Sequence, residues 1–98
     1  MPPAKVRLDA IVQECQRLLR PERFTDWDGA HNGLQVANPG TVTRLAAAVD
    51  ATLPVVRMAV AARADLLLVH HGLFWSPRVP WTGPHYELMR LLVGHGLA

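Results

Sequence analysis

Apolar residues recur near the start of the chain at spacings of three and four: Leu8, Ile11, Val12, Cys15, Leu18 and Leu19. That rhythm predicts one amphipathic helix with a single buried stripe, stopped by Pro21. Cys15 lies on the stripe and reads as a small core hydrophobe. A polar, turn-rich stretch from Thr25 to Gly33 then leads into Leu34-Gln35-Val36. Its Asn32-Gly33 pair predicts a tight turn, because both residues tolerate positive φ.

Beyond Asn38-Pro39-Gly40 the pattern changes. Thr43 to Val49 predicts a buried strand ending at Asp50. Thr52 as cap and Pro54 in the first turn predict a helix running to about Ala64. Asp65 to Val69 is nearly all apolar, as expected of a parallel strand covered on both faces, and it runs straight into His70-His71-Gly72. The segment from Leu73 to Gly83 holds Pro77 and Pro80 and is expected to be irregular. A last helix is expected from Pro84, carrying Leu88, Met89, Leu91 and Leu92, with Gly94 as its stop.

The order helix, turn region, strand, helix, strand, loop, helix places the chain in the α/β class, with a right-handed βαβ unit at its centre. Two parallel strands make a marginal sheet, and a third strand is expected to begin at His95-Gly96-Leu97-Ala98. Residues 1–98 are therefore expected to form one incomplete α/β domain. It is read as the N-terminal portion of a larger mixed or parallel sheet, or one that needs partners to finish it. Ninety-eight residues, half of them hydrophobic, suffice for one small domain and not two. The charged share of 18% and net charge of +2 exclude a disordered chain.

Nine arginines and one lysine are scattered without a run, so no nucleic-acid partner is expected. The lone Cys15 excludes a disulfide framework and a CxxC metal motif. Met1 to Lys5 lacks the apolar core of a signal peptide, and the stretches Leu45 to Val49 and Leu66 to Val69 are far too short to span a bilayer. A cytoplasmic protein without membrane contact is expected.

The chemistry concentrates at His70 and His71, which follow a buried strand at its C-terminal end, where ligands collect in open α/β folds. Adjacent strand residues point to opposite faces, so the simpler arrangement gives each imidazole its own metal ion. Imidazole suits Zn, Fe or Ni better than Mg or Ca. The competing reading is a pair of ordinary packed or surface histidines. Asp50 is expected on the same sheet edge, either as a further site residue or as a polar stop that helps the turn. His31 in its turn, His85 and His95 read as structural or solvent-facing, and Asp26 and Asp28 as turn residues. Leu73-Phe74-Trp75 reads as an apolar flap or as core packing.

Asn32-Gly33-Leu34-Gln35-Val36, then Ala48-Val49-Asp50-Ala51-Thr52, then Ala64 to Trp75 with its His-His-Gly, together resemble the Nif-three-like dinuclear metal-centre family. Its members carry the name GTP cyclohydrolase type 2-like. The stretch from Asp26 to His31 departs from the family's usual approach to that first motif. The resemblance implies an α/β fold, toroidal hexamers and two divalent metal ions (Zn, Fe, Ni or Mn), with His70 and His71 among the ligands and the others outside this chain. It also implies metal-dependent hydrolysis of a nucleotide such as GTP, in which a metal-activated water attacks. With one imidazole per ion, the chain alone is expected to bind metal weakly and to be inactive. The alternative is a non-catalytic oligomeric metal-binding or regulatory protein.

Overall fold

The computed structural model of the chain describes residues 4–26, 29–74 and 79–98. Helix α1 (Leu8–Leu19) forms where the rhythm predicts it. Leu8 is buried and Ile11, Val12 and Cys15 are half-buried, whereas Leu18 and Leu19 are 63% and 62% exposed. The apolar stripe is thus covered along its first two turns and open beyond them. Arg20 takes a left-handed conformation (φ 48°) and its N–H returns to the Gln16 carbonyl, after which Pro21–Arg23 makes one 3-10 turn. Strand β1 (Val6–Arg7) pairs antiparallel with β2 (Thr41–Val42), Val6 opposite Val42. Two residues are too few to print a period, so the pattern of apolar positions did not predict this ribbon.

The centre is β3 (Leu45–Asp50), helix α2 (Leu53–Ala61) and β4 (Leu66–His71). The two strands are parallel, with Leu45 opposite Leu66 and Asp50 opposite His71. β3 starts two residues later than the apolar run predicts. The reason is Asp65: its carboxylate accepts the N–H groups of Thr43 (2.8 Å) and Arg44 (3.0 Å), which draws them away from a ladder. Thr52 caps α2, its hydroxyl accepting the Val55 N–H, with Pro54 in the first turn. The helix ends at Ala61 and not near Ala64. Arg63 takes φ 59°, its N–H reaches the Val60 carbonyl, and the Ala64 N–H reaches the Ala59 carbonyl. This is a Schellman stop with arginine in the place glycine usually fills.

Helix α3 (Pro84–Gly94) ends in the same motif. Gly94 is the last helical residue, but the glycine that turns left-handed is Gly96 (φ 63°), which donates to the Val93 carbonyl. The Leu97 N–H then donates to the Leu92 carbonyl, and Leu97 becomes fully buried. It joins Val56, Ala59, Ala64, Leu88, Met89, Leu91 and Leu92 in the main core, against which Ala46 and Leu67 pack from the sheet. A second cluster joins Leu8, Val42, Leu66 and Ala98, with Ile11 and Val12 of α1 against it.

Covering of the strands is unequal, which corrects the expectation of two buried faces. Leu66 is buried at the start of β4, but Leu45, Val49 and Leu68 are 52%, 62% and 38% exposed. α2 and α3 cover one face, while α1 reaches the other only near Leu66. Ala98 pairs with β4: its N–H donates to the Asp65 carbonyl (2.9 Å) and its carbonyl accepts the Leu67 N–H (2.8 Å). These two bonds straddle Leu66 and are those of a parallel bridge. The expected third strand therefore has its first rung.

Hydrogen bonds from Arg17 to Glu14 and from Arg90 to Glu87 hold both carboxyls below the usual carboxylate range. Both pairs lie on the helix surface, where such bridges stabilise little. No helix among the described residues is long and apolar enough to cross a membrane.

Leu97 is the residue on which α3 and the rung at Ala98 jointly depend. Leu97→Ala is expected to lower the unfolding free energy by about 2–5 kcal/mol. Val93→Ala, at a position 68% exposed on the same helix, should change it by less than about 0.5 kcal/mol. Urea midpoints of the two variants check the contrast.

Candidate functional site

β4 ends in His70 and His71, both exposed, at the carboxyl end of the parallel pair. Strand alternation sends successive side chains to opposite faces. Here the strand is ending, and the two rings lie side by side with centroids 4.4 Å apart and planes tilted by 59°. Both line one polar cleft of about 100 Å³, together with Asp26, Ala30, His31, Asn32 and Gly72. Among the described residues neither imidazole is committed to a hydrogen bond.

The other sequence candidates divide. Asp50 stands opposite His71 in the ladder, as its place at the end of β3 predicts, but it does not line the cleft. His31 and Asp26, read from the sequence as turn residues, are carried to the cleft wall. Trp27, Asp28 and Trp75 lie outside the described residues. Of the flap candidates, Leu73 packs against the main core, while Phe74 is 37% exposed. His85 is half-buried on α3 and His95 is exposed at its end, both away from the cleft.

Among the described residues, Gln35 ties the wall to the chain leaving β4. Gln35 Nε2 donates to the carbonyls of His31 and Gly33, the second at 3.3 Å, and Gln35 Oε1 accepts the Phe74 N–H at 3.0 Å. The His31 N–H closes the circuit by donating to the Phe74 carbonyl at 2.7 Å. Of the Asn32-Gly33 pair, Gly33 alone takes positive φ (95°). Gly72 leaves the carboxamide its room: a Cβ there would sit 3.0 Å from Gln35 Oε1 and 3.1 Å from its Cδ. Sequence reading missed this latch. Its available signal was a lone carboxamide set between Leu34 and Val36 in an otherwise apolar run.

As a donor set, the histidine pair suits Zn, Fe or Ni in ligand type. Among the described residues no group of three or more His, Cys, Asp or Glu side chains is placed to hold an ion. The pair thus supplies two donors, where a firmly bound ion takes about three or four protein ligands. What the arrangement offers chemically is two adjacent imidazoles, without hydrogen-bond partners among the described residues, beside a polar wall of carboxylate, imidazole and carboxamide.

A sequence profile of the Duf34/NIF3 (NGG1p interacting factor 3) family matches residues 6–98. The chain is 47% identical over 85 residues to the GTP cyclohydrolase 1 type 2 homolog of Deinococcus radiodurans, an overlap covering 87% of this chain and 32% of the relative. The Chlamydia pneumoniae protein of the same name is 39% identical over 89 residues, covering 89% of this chain and 35% of the relative. Among solved structures, that of TTHA1606 from Thermus thermophilus superposes with a TM-score of 0.85 at 36% identity. That match covers 94% of this chain and 38% of the other. The chain therefore spans about a third of the length of the curated relatives it matches.

The fit between Gly72 and Gln35 generates a prediction. Gly72→Ala is expected to displace the carboxamide by a few tenths of an ångström and so weaken its bond to the Phe74 amide. A neutral hydrogen bond of this kind contributes about 1 kcal/mol, so Phe74 amide exchange should quicken about fivefold. Exchange of the α2 amides is expected to be unchanged, and hydrogen exchange read by NMR checks both.

Proposed function

The chain belongs to the Duf34/NIF3 family, and from that premise we propose that it contributes the histidine pair of a dinuclear divalent-metal site in a protein of the GTP cyclohydrolase type 2-like kind. The observation that carries this reading is the placement of His70 and His71: rings 4.4 Å apart, free of hydrogen bonds to the described residues, at the carboxyl end of a parallel strand pair. One imidazole per ion is the arrangement expected from the sequence.

When bound, such a metal pair lowers the pKa of a coordinated water and polarises an oxygen of the substrate. The part of this chain is narrower. His70 and His71 bind, the turn carrying His31 and Asn32 forms one wall of the cleft, and Gly72 leaves room for the latch behind it. The proposed substrate is a nucleotide such as GTP and the proposed assembly a homo-oligomer, a hexamer by family resemblance. Neither a nucleic-acid partner nor a membrane enters the proposal, and the proposed location is the cytoplasm. Because two imidazoles are fewer donors than two ions need, the proposal assigns the 98-residue chain weak metal binding and no turnover of its own.

The test is a titration of the chain with Zn²⁺, followed through the histidine ring signals by NMR, and a metal analysis after extensive dialysis. Shifts at His70 and His71 are expected, and they should vanish in the His70→Ala/His71→Ala variant. Dialysis should strip most of the metal. Retention of nearly two ions per chain would contradict the incomplete cage, and ring signals indifferent to Zn²⁺ would contradict the site itself. In a chain of the relatives' length, metal-dependent turnover of GTP that the double variant abolishes supports the hydrolase. Metal binding without turnover favours the non-catalytic, regulatory alternative.

A further inference from the structure

We propose that Gln35 is a positioning residue for the His70–His71 site, its carboxamide fastening the turn that carries His31 to the chain leaving β4. This inference rests on the reading of the histidine pair as a metal site and adds the residue that sets the pair's surroundings. Four observations carry it. Both ends of the carboxamide are used, Nε2 by the carbonyls of His31 and Gly33 and Oε1 by the Phe74 N–H. The two segments so joined are also bonded to each other directly, through His31 N–H and the Phe74 carbonyl. Gly72, the residue after the pair, is the place where a Cβ would press on the carboxamide, at 3.0 Å from Oε1. And the segments that Gln35 joins run beside the cleft that both rings line.

The chemistry explains why a glutamine stands there. The turn presents carbonyls, which need a donor, and the chain after Gly72 presents an N–H, which needs an acceptor. A carboxamide is the side-chain group that offers both at one end of a flexible stem. Glutamate would satisfy the Phe74 N–H and set a carboxylate against two carbonyl oxygens. Leucine would leave all of them without a partner. Released from the latch, His70 and His71 would keep their place on β4 but lose the fixed exit of the chain beyond Gly72. Their rings would then sample more orientations before meeting a cation. Supporting groups around metal ligands typically account for 10–100-fold in affinity, and a latch one step removed from the rings is assigned the lower end of that range.

The experiment measures Zn²⁺ affinity by competition with a chromophoric chelator, and amide exchange by NMR, on the whole chain, Gln35→Ala and Gln35→Glu. For Gln35→Ala the expected result is about tenfold weaker Zn²⁺ binding, with faster exchange at His31 and Phe74 and unchanged exchange at Leu67 and in α3. Gln35→Glu separates the two ends of the latch: Phe74 should stay protected while the His31 amide exchanges faster. Equal Zn²⁺ affinity in the parent chain and Gln35→Ala, where the parent's binding depends on His70 and His71, would overturn the inference and leave the metal site standing. Absence of histidine-dependent binding in the parent chain itself would overturn both. A uniform rise in exchange that includes Leu67 and α3 would mark Gln35 as a general stabiliser and also refute the positioning role.

Discussion

Two parallel strands cannot be joined by a tight turn; the chain must travel back along the sheet before the second strand begins. In this protein α2 makes that return, and nearly everything else follows from it. The return puts the carboxyl ends of β3 and β4 on one edge, which is why Asp50 comes to stand opposite His71. It also fixes which face of the sheet is dry. α2 and α3 share a core with Ala46 and Leu67, while the opposite face is met by α1 only around Leu66. Asp65 ties the lower end by accepting two amides from the start of β3, so the strands are held in register where they begin and are open where the histidines end them.

The candidate site is accordingly made of two parts with different origins. The imidazole pair takes its place from the ladder of β3 with β4. The wall facing it belongs to an irregular turn without a ladder, and among the described residues it is attached through the Gln35 carboxamide and the His31–Phe74 backbone bond. A site divided in this way can keep its ligands while altering its wall.

Much of this was legible along the chain. The rhythm of Leu8 to Leu19 located α1, Thr52 and Pro54 located the start of α2, and the apolar run into His70-His71 located β4 and the histidine pair at its end. The rest depended on contacts between residues far apart in sequence. Asp65 lies 22 residues from Thr43, and no local pattern announces that its carboxylate will shorten β3. Gln35 lies 39 residues from Phe74, so its role emerges only when the two segments meet. The end of α2 at Ala61 reflects a third kind of limit. Arginine at Arg63 carries none of the left-handed preference that made glycine visible near the end of α3. The exposed half of the α1 stripe shows the same limit from the other side: periodicity reports which residues share a face, not whether anything lies against it.

Ala98 carries one more implication. A strand's peptide groups point alternately to its two sides, so the Leu67 N–H that meets Ala98 marks the side of β4 that β3 does not occupy. Along that side the backbone groups of Val69 and His71 come next. Ala98 sits level with Leu66, five residues before His71. The open seam of the sheet therefore runs from Ala98 to the second histidine along one row of peptide groups.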